Sequence, residues 1–431
     1  MRKLRRSPDP ISQETSADLI VRASTAFQPR APISAREFFA GRWEQLTTVS
    51  DAVSQTGLHI VIFGERGVGK TSLANVIRPL LVVMEESFHT KTPIPRLVVK
   101  VNTNQGDLFA DVWRRALDEV YWDEDKPVIG FGGESSKQRE TLRHALGISN
   151  TPSIDEIRRV LSLLKRSVFI FDEFDRGSSA VKTAFTDLIK ALSDYEVDAT
   201  VVIVGVSDTV DDLVRDHASI VRSIVQVQLP RMDERELKEI LEKASKVLNI
   251  EFTDEAASLI VRMSQGLPHY THLIGLHATR EAAERLSRRV ETEDVHASFG
   301  KAVLQAVQSI REKYLQATHS AHKDALYEKV ILGCASAAST ARDALGYFHL
   351  SDVVVPLSAI LQRPNVSIAT FQKHTNEFCE SERGLVLERA GSPRAYRYRF
   401  RDPLLLPFIF MNAASAGVIS PEQLRTLTAA G

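Results

Sequence analysis

At 431 residues the chain is too long for one ordinary hydrophobic core, and two or three domains are expected. Apolar residues make up 43% and charged residues 25%, a globular balance, and a formal net charge of −1 excludes global electrostatic steering toward nucleic acid or an acidic membrane. The two cysteines, Cys334 and Cys379, make neither a disulfide framework nor a metal site, which suits a reducing cytoplasm.

The chain opens with Met1-Arg2-Lys3-Leu4-Arg5-Arg6, but Ser7-Pro8-Asp9-Pro10 stands where a signal peptide would have its apolar stretch. Residues 1–32 therefore read as a disordered basic tail. A core domain is expected over 33–230. Ser34 and Glu37 have capping-box spacing and open a helix ahead of Phe38-Phe39-Ala40-Gly41-Arg42, and a second helix spans about 43–55.

Leu58-His59-Ile60-Val61-Ile62-Phe63 follows, an apolar β-branched run that reads as a buried parallel strand. It ends in Gly64-Glu65-Arg66-Gly67-Val68-Gly69-Lys70-Thr71, which fits the phosphate-binding loop G-x-x-x-x-G-K-[ST], and Ser72-Leu73-Ala74 begins a helix. Glycines at 64, 67 and 69 let backbone N–H groups approach anionic oxygens without Cβ clashes. The helix presents its unpaired N–H groups to the same phosphates. Lys70 would add a charge at the β/γ phosphates, and the Thr71 hydroxyl would ligate Mg²⁺. Residues 64–72 are thus the expected nucleotide-binding segment.

Four more apolar runs, 97–101, 168–171, 200–204 and 224–229, read as strands separated by helices such as 106–120 and 182–194. Strands alternating with helices indicate a parallel α/β sheet, five-stranded here. Residues 122–154, with an acidic cluster and three glycines, read as a long surface loop carrying a short helix. The strand 167–171 ends in Asp172-Glu173. Asp172 is expected in the Mg²⁺ shell and Glu173 beside the attacking water. The strand 200–204 ends in Gly205-Val206-Ser207-Asp208, polar groups that would face the γ-phosphate.

From 231 to about 310 the pattern turns wholly helical, punctuated by Pro230 and Pro268. A C-terminal domain follows over 320–411. Its helices are expected near 323–337, 350–361 and 367–381, then two strands flank the turn Ala390-Gly391-Ser392-Pro393. Three helices and a hairpin describe a winged helix. The apolar run 404–419 contains Pro407 and Asn412 and is too short to span a bilayer, so no membrane partner is expected. Residues 412–431 read as a tail.

Phe39-x-Gly41-Arg42, the phosphate loop, Phe171-Asp172-Glu173-Phe174-Asp175-Arg176 and the winged helix together resemble AAA+ ATPases, within these the origin-recognition/initiator clade and its bacterial relatives. The resemblance implies a five-stranded P-loop core, an all-helical lid and ATP hydrolysis to ADP and phosphate. It places Gly41 and Arg42 beside the adenine pocket and Arg222 in the arginine-finger region, with Arg231 competing, so an ATP-dependent homo-oligomer is implied. Asp208 stands where the family has a sensor asparagine, and an ionised Asp there would repel the γ-phosphate. Gly266-Leu267-Pro268-His269 replaces the usual Gly-x-x-Arg of the second sensor, which implies low turnover. Gly-Leu-Pro is also seen in signalling NTPases of the STAND type.

The partner stays open at this stage. The third helix offers Gln372, Lys373, His374 and Asn376 to duplex DNA, but Glu377, Glu380 and Glu382 follow; the wing carries Arg389, Arg394, Arg397, Arg399 and Arg401. Residues 301–431 hold 15 Lys/Arg against 11 Asp/Glu, a net of +4. That is a mild bias. The alternative is a signalling or defence module acting through a protein partner.

Overall fold

The computed structural model describes residues 11–29, 40–87, 96–126, 136–214, 220–322, 325–343, 345–364, 366–393 and 395–428. The Ser34–Glu37 capping box, Phe38, Phe39 and Arg394 lie outside them.

Within the segment 1–32 expected as a disordered tail, residues 13–26 form a helix, while 1–10 and 30–32 lie outside the described residues. Helix α1 (Gln13–Ala26) is capped by Ser12, whose Oγ accepts from the Thr15 N–H at 3.2 Å. Its narrow stripe of Leu19, Ala23 and Ala26, continued by Phe27, is buried against the lid. Ser16 donates to the Ala283 carbonyl at 2.6 Å. So narrow a stripe leaves no sustained period in the sequence.

The core follows as α2 (Trp43–Val53), β1 (His59–Gly64), α3 (Lys70–Ser87), β2 (Leu97–Asn102) and α4 (Phe109–Asp118). Then come β3 (Tyr121–Lys126), β4 (Ser136–Thr141), α5 (Leu142–Ala145), α6 (Ile154–Leu164), β5 (Ser167–Asp172), α7 (Ser179–Asp194), β6 (Ala199–Val206) and β7 (Ile224–Gln228). Strands β2-β5-β6-β1-β7 form one parallel sheet in that order. Alternate residues serve two cores. Ile60 and Ile62 face α3 and the lid, whereas Val61 and Phe63 face α4, α6 and α7. The strand order reverses direction around β1, so the C-terminal ends of β1, β5 and β6 open on one crevice, where ligands of such sheets bind.

Residues 122–154 hold more structure than the loop and short helix expected, since β3 and β4 pair antiparallel. After Tyr121 and Trp122 the two strands carry only polar and charged residues, with no apolar alternation, which hides the pair from a pattern reading.

The lid comprises α8 (Glu234–Leu248), β8 (Glu251–Phe252), α9 (Asp254–Ser264), α10 (Pro268–Glu284), β9 (Arg289–Val290) and α11 (Thr292–Gln305). It is not wholly helical, because β8 and β9 pair. The C-terminal domain follows as α12 (Gln308–Thr318), α13 (Tyr327–Thr340), α14 (Leu350–Leu361), α15 (Ile368–Glu377), β10 (Leu387–Ala390) and β11 (Arg397–Phe400). It ends in α16 (Leu405–Ser415) and α17 (Pro421–Thr428). The hairpin β10–β11 is antiparallel, and Phe348 exchanges backbone hydrogen bonds with Tyr398 at its far edge. The apolar run from 404 becomes α16, buried against α9, α11 and α13. A boundary at 411 would cut that helix. Among the described residues no helix is long and apolar enough to cross a membrane.

Candidate functional site

The loop between β1 and α3 has the backbone its glycines predict. Gly64, Gly67 and Gly69 take φ of 148°, 87° and 97°, the region that penalises a Cβ. Lys70, only 8% exposed, donates to the Gly64 carbonyl at 2.9 Å and the Glu65 carbonyl at 2.7 Å. Burial pulls its ammonium down to about 8, despite Asp175, Asp172 and Glu65 nearby. A desolvated cation held by carbonyls suits an anionic phosphate.

At the end of β5, Asp172 is buried and both its oxygens are engaged. Oδ1 accepts the Glu173 N–H at 2.9 Å, and Oδ2 lies 2.9 Å from Lys100 Nζ. Lys100 also donates to Asn75 Oδ1 on α3 at 2.7 Å. Glu173 takes a left-handed backbone (φ 55°), and its half-exposed carboxylate pairs with Arg176 at 2.7 Å. Thr71 and Asp172 are hard oxygen donors that suit Mg²⁺. Among the described residues no cluster of three His, Cys, Asp or Glu forms a metal cage. An ion here would therefore also rely on phosphate oxygens.

Arg42 joins core, loop and lid. Its backbone is left-handed (φ 63°) and it is 3% exposed. Nη2 donates to the Val68 carbonyl at 3.3 Å and the Pro230 carbonyl at 2.5 Å. Its backbone N–H donates to Glu236 on α8 at 3.0 Å. Burial lowers its pKa, against the pull of Glu236 and Asp233. Among the described residues its buried Nε has no partner, an orphaned donor beside the phosphate loop.

Of the two arginines, Arg231 pairs with Glu65 at 2.7 Å and donates to the Gln265 carbonyl at 3.2 Å. Arg222 is exposed just ahead of edge strand β7. In the lid, Leu267 and Pro268 lean over Gly67 and Gly69. His269 turns away and donates through Nδ1 to the Pro29 carbonyl at 2.5 Å.

The sequence reading missed how the C-terminal domain meets this loop. Asp402, 4% exposed, accepts from Arg66 Nη1 at 2.8 Å, with Lys313 at 3.6 Å. Leu404 lies against Gly67, and its carbonyl accepts the Tyr270 hydroxyl at 2.5 Å. Asp208 pairs with Arg399 of β11 at 2.8 Å, which neutralises the carboxylate expected to repel a γ-phosphate. Arg399 pairs with Glu388 as well, and Arg397 pairs with Asp343 at 2.8 Å. Ser207 is engaged locally, donating to the Thr209 carbonyl at 2.7 Å.

Residues 26–344 match the family model described as Novel STAND NTPase 1. No curated protein matches the chain. Among solved structures, Cdc6p from Pyrobaculum aerophilum is similar at 15% identity, covering 93% of this chain and 98% of its own, with a TM-score of 0.45. The Aeropyrum pernix ORC1 protein in complex with DNA is similar at 14% identity, over 92% and 98%, with a TM-score of 0.46. A RuvB variant from Thermotoga maritima is similar at 16% identity, over 85% and 94%, with a TM-score of 0.43.

Proposed function

Since the chain belongs to the Novel STAND NTPase 1 family, we propose that it is an ATP-driven switch whose nucleotide state decides whether its C-terminal domain stays seated on the phosphate loop. The seam of Arg66–Asp402, Gly67–Leu404 and Asp208–Arg399 carries this reading. Any movement of the loop or of the β6 end on nucleotide exchange disturbs it. Phosphate binding would redirect Lys70 from the loop carbonyls, and a γ-phosphate near Asp208 would compete for Arg399.

The reaction is hydrolysis of ATP to ADP and phosphate. Glu173 accepts a proton from the attacking water as its oxygen bonds to the γ-phosphorus and the bond to the ADP oxygen breaks. Lys70 binds the β/γ oxygens, and Arg222 from a neighbouring copy stabilises the transferring group. Thr71 and Asp172 would hold Mg²⁺, which would supply charge neutralisation on the phosphates. Turnover is low. Glu173 must first part from Arg176, and the lid lacks the second-sensor arginine.

The occupation of Arg397 and Arg399 within the protein favours a protein partner over DNA. On α15, Lys373 lies 3.8 Å from Glu377, further diluting a phosphate-binding face. We therefore read the three-helix and hairpin unit as a winged helix used for protein contact in the cytoplasm. The test is the solution mass of the Glu173→Gln variant with ADP, with ATP, and with ATP plus duplex DNA. The reading expects a monomer with ADP, a larger assembly with ATP, and no DNA shift. A monomer in all three conditions, or a salt-sensitive DNA complex, contradicts it.

A further inference from the structure

Strand β2 carries a charged residue in an apolar run. Val99 and Val101 are buried in one core, while Lys100 points to the opposite face, beneath α3. Asp172 and Ile170 of β5 share that face with it. Lys100 keeps a quarter of its side chain exposed and brings Nζ to 2.9 Å from Asp172 Oδ2 and 2.7 Å from Asn75 Oδ1. Asn75 lies four residues after Thr71 on α3, so it stands one turn beneath the Thr71 hydroxyl, about 5–6 Å along the helix. A fixed ammonium thus sits at the floor of the place where Thr71 and Asp172 would receive a divalent ion.

Two consequences follow from charge alone. The carboxylate that would draw a metal is already neutralised by a partner bound at hydrogen-bonding distance. A divalent cation bound at Asp172 would meet Lys100 as a like charge, and at about 4 Å such repulsion weakens affinity by about tenfold or more. The same ammonium, unlike a metal, is covalently tethered and would stay in the site when a metal leaves.

We propose that Lys100 is a positioning residue of the nucleotide site, a resident cation that holds Asp172 and lets the site retain a nucleoside diphosphate without Mg²⁺. This rests on the nucleotide reading above. Asn75 completes the arrangement by fixing the ammonium from the helix side, and a neutral side chain in place of Lys100 would leave Asp172 with a stronger pull on a metal.

The test titrates the full chain with ADP carrying a fluorescent N-methylanthraniloyl group, once in excess Mg²⁺ and once in excess EDTA. For the natural protein the two Kd values should agree within about threefold. For Lys100→Met, Mg²⁺ should tighten binding by about tenfold relative to EDTA, while Lys100→Arg, which keeps the cation, should behave like the natural protein. A natural protein that loses binding only in EDTA overturns the role of Lys100, and this arm needs no variant to fold. Equal Mg²⁺ dependence in Lys100→Met and the natural protein overturns it too. Absence of binding in both arms overturns the nucleotide site itself, and this inference with it.

Discussion

Asp402 and Arg66 meet at 2.8 Å across 336 residues of sequence, joining the segment after the C-terminal hairpin to the middle of the phosphate loop. The carboxylate is buried and its partner half-exposed, so the pair lies at the rim of the seam rather than in a core. Lys313 and the Leu404 N–H also address Asp402, which leaves that oxygen pair well satisfied.

Removing this charge should loosen the loop. Asp402→Asn is expected to speed release of ADP by about five- to tenfold, a cost near 1 kcal/mol for a pair with one screened partner. Stopped-flow displacement of a fluorescent ADP checks it. Arg66→Lys should fall between the two, since an ammonium keeps the charge but loses the planar donor geometry.

Gly67 offers a second probe of the same seam. Its φ of 87° already disfavours a side chain, and an added Cβ would come 2.8 Å from Leu404 Cδ2. Gly67→Ala should lose about 1–2 kcal/mol in urea unfolding from backbone strain alone. It should also raise proteolytic cleavage near 401–404, because the leucine must move.

Lys70 predicts a pH dependence. Its pKa in the free site is about 8, below the 10.5 of an exposed lysine, because burial disfavours the charge. The unfolded chain therefore binds more protons between those values, and stability of the free protein should rise as pH increases from 8 toward 10.5. A bound polyphosphate favours the ammonium, so nucleotide binding above pH 8 should take up a proton. Calorimetry in buffers of different ionisation enthalpy measures that uptake.

Arg42 ties three units through one side chain, so its loss should be felt in all of them. Arg42→Met keeps the stem and the backbone N–H bond to Glu236 but strands the Val68 and Pro230 carbonyls. A loss of about 2–4 kcal/mol is expected from such unpaired buried groups, read by chemical denaturation. Nucleotide affinity should fall as well.

What the sequence reveals and hides follows from how local each feature is. Gly64 to Thr71 and Asp172-Glu173 are legible because motif and flanking strand are contiguous, and the sheet places both at the C-terminal ends of β1 and β5. Helix α1 is hidden by a stripe only one or two side chains wide, and the β3–β4 pair by its polar faces. Asp208 reads as a repulsive sensor until Arg399, 191 positions later in the chain, is known to meet it. Lys100 does leave a signal, a lone charge inside Leu97-Val98-Val99-Lys100-Val101, which marks a strand residue with a buried partner. Its partner cannot be read from spacing, because the register of β2 against β5 is a property of the fold.

The central claim is that nucleotide state governs whether the C-terminal domain stays on the phosphate loop. Hydrogen exchange of the Glu173→Gln variant in saturating ADP and in saturating ATP tests it most directly, read at the amides of 402–406 and of 64–71. With ADP, both segments should be protected together. With ATP, the loop should stay protected while 402–406 exchange at least about tenfold faster. Equal protection of 402–406 in the two nucleotides would contradict the account.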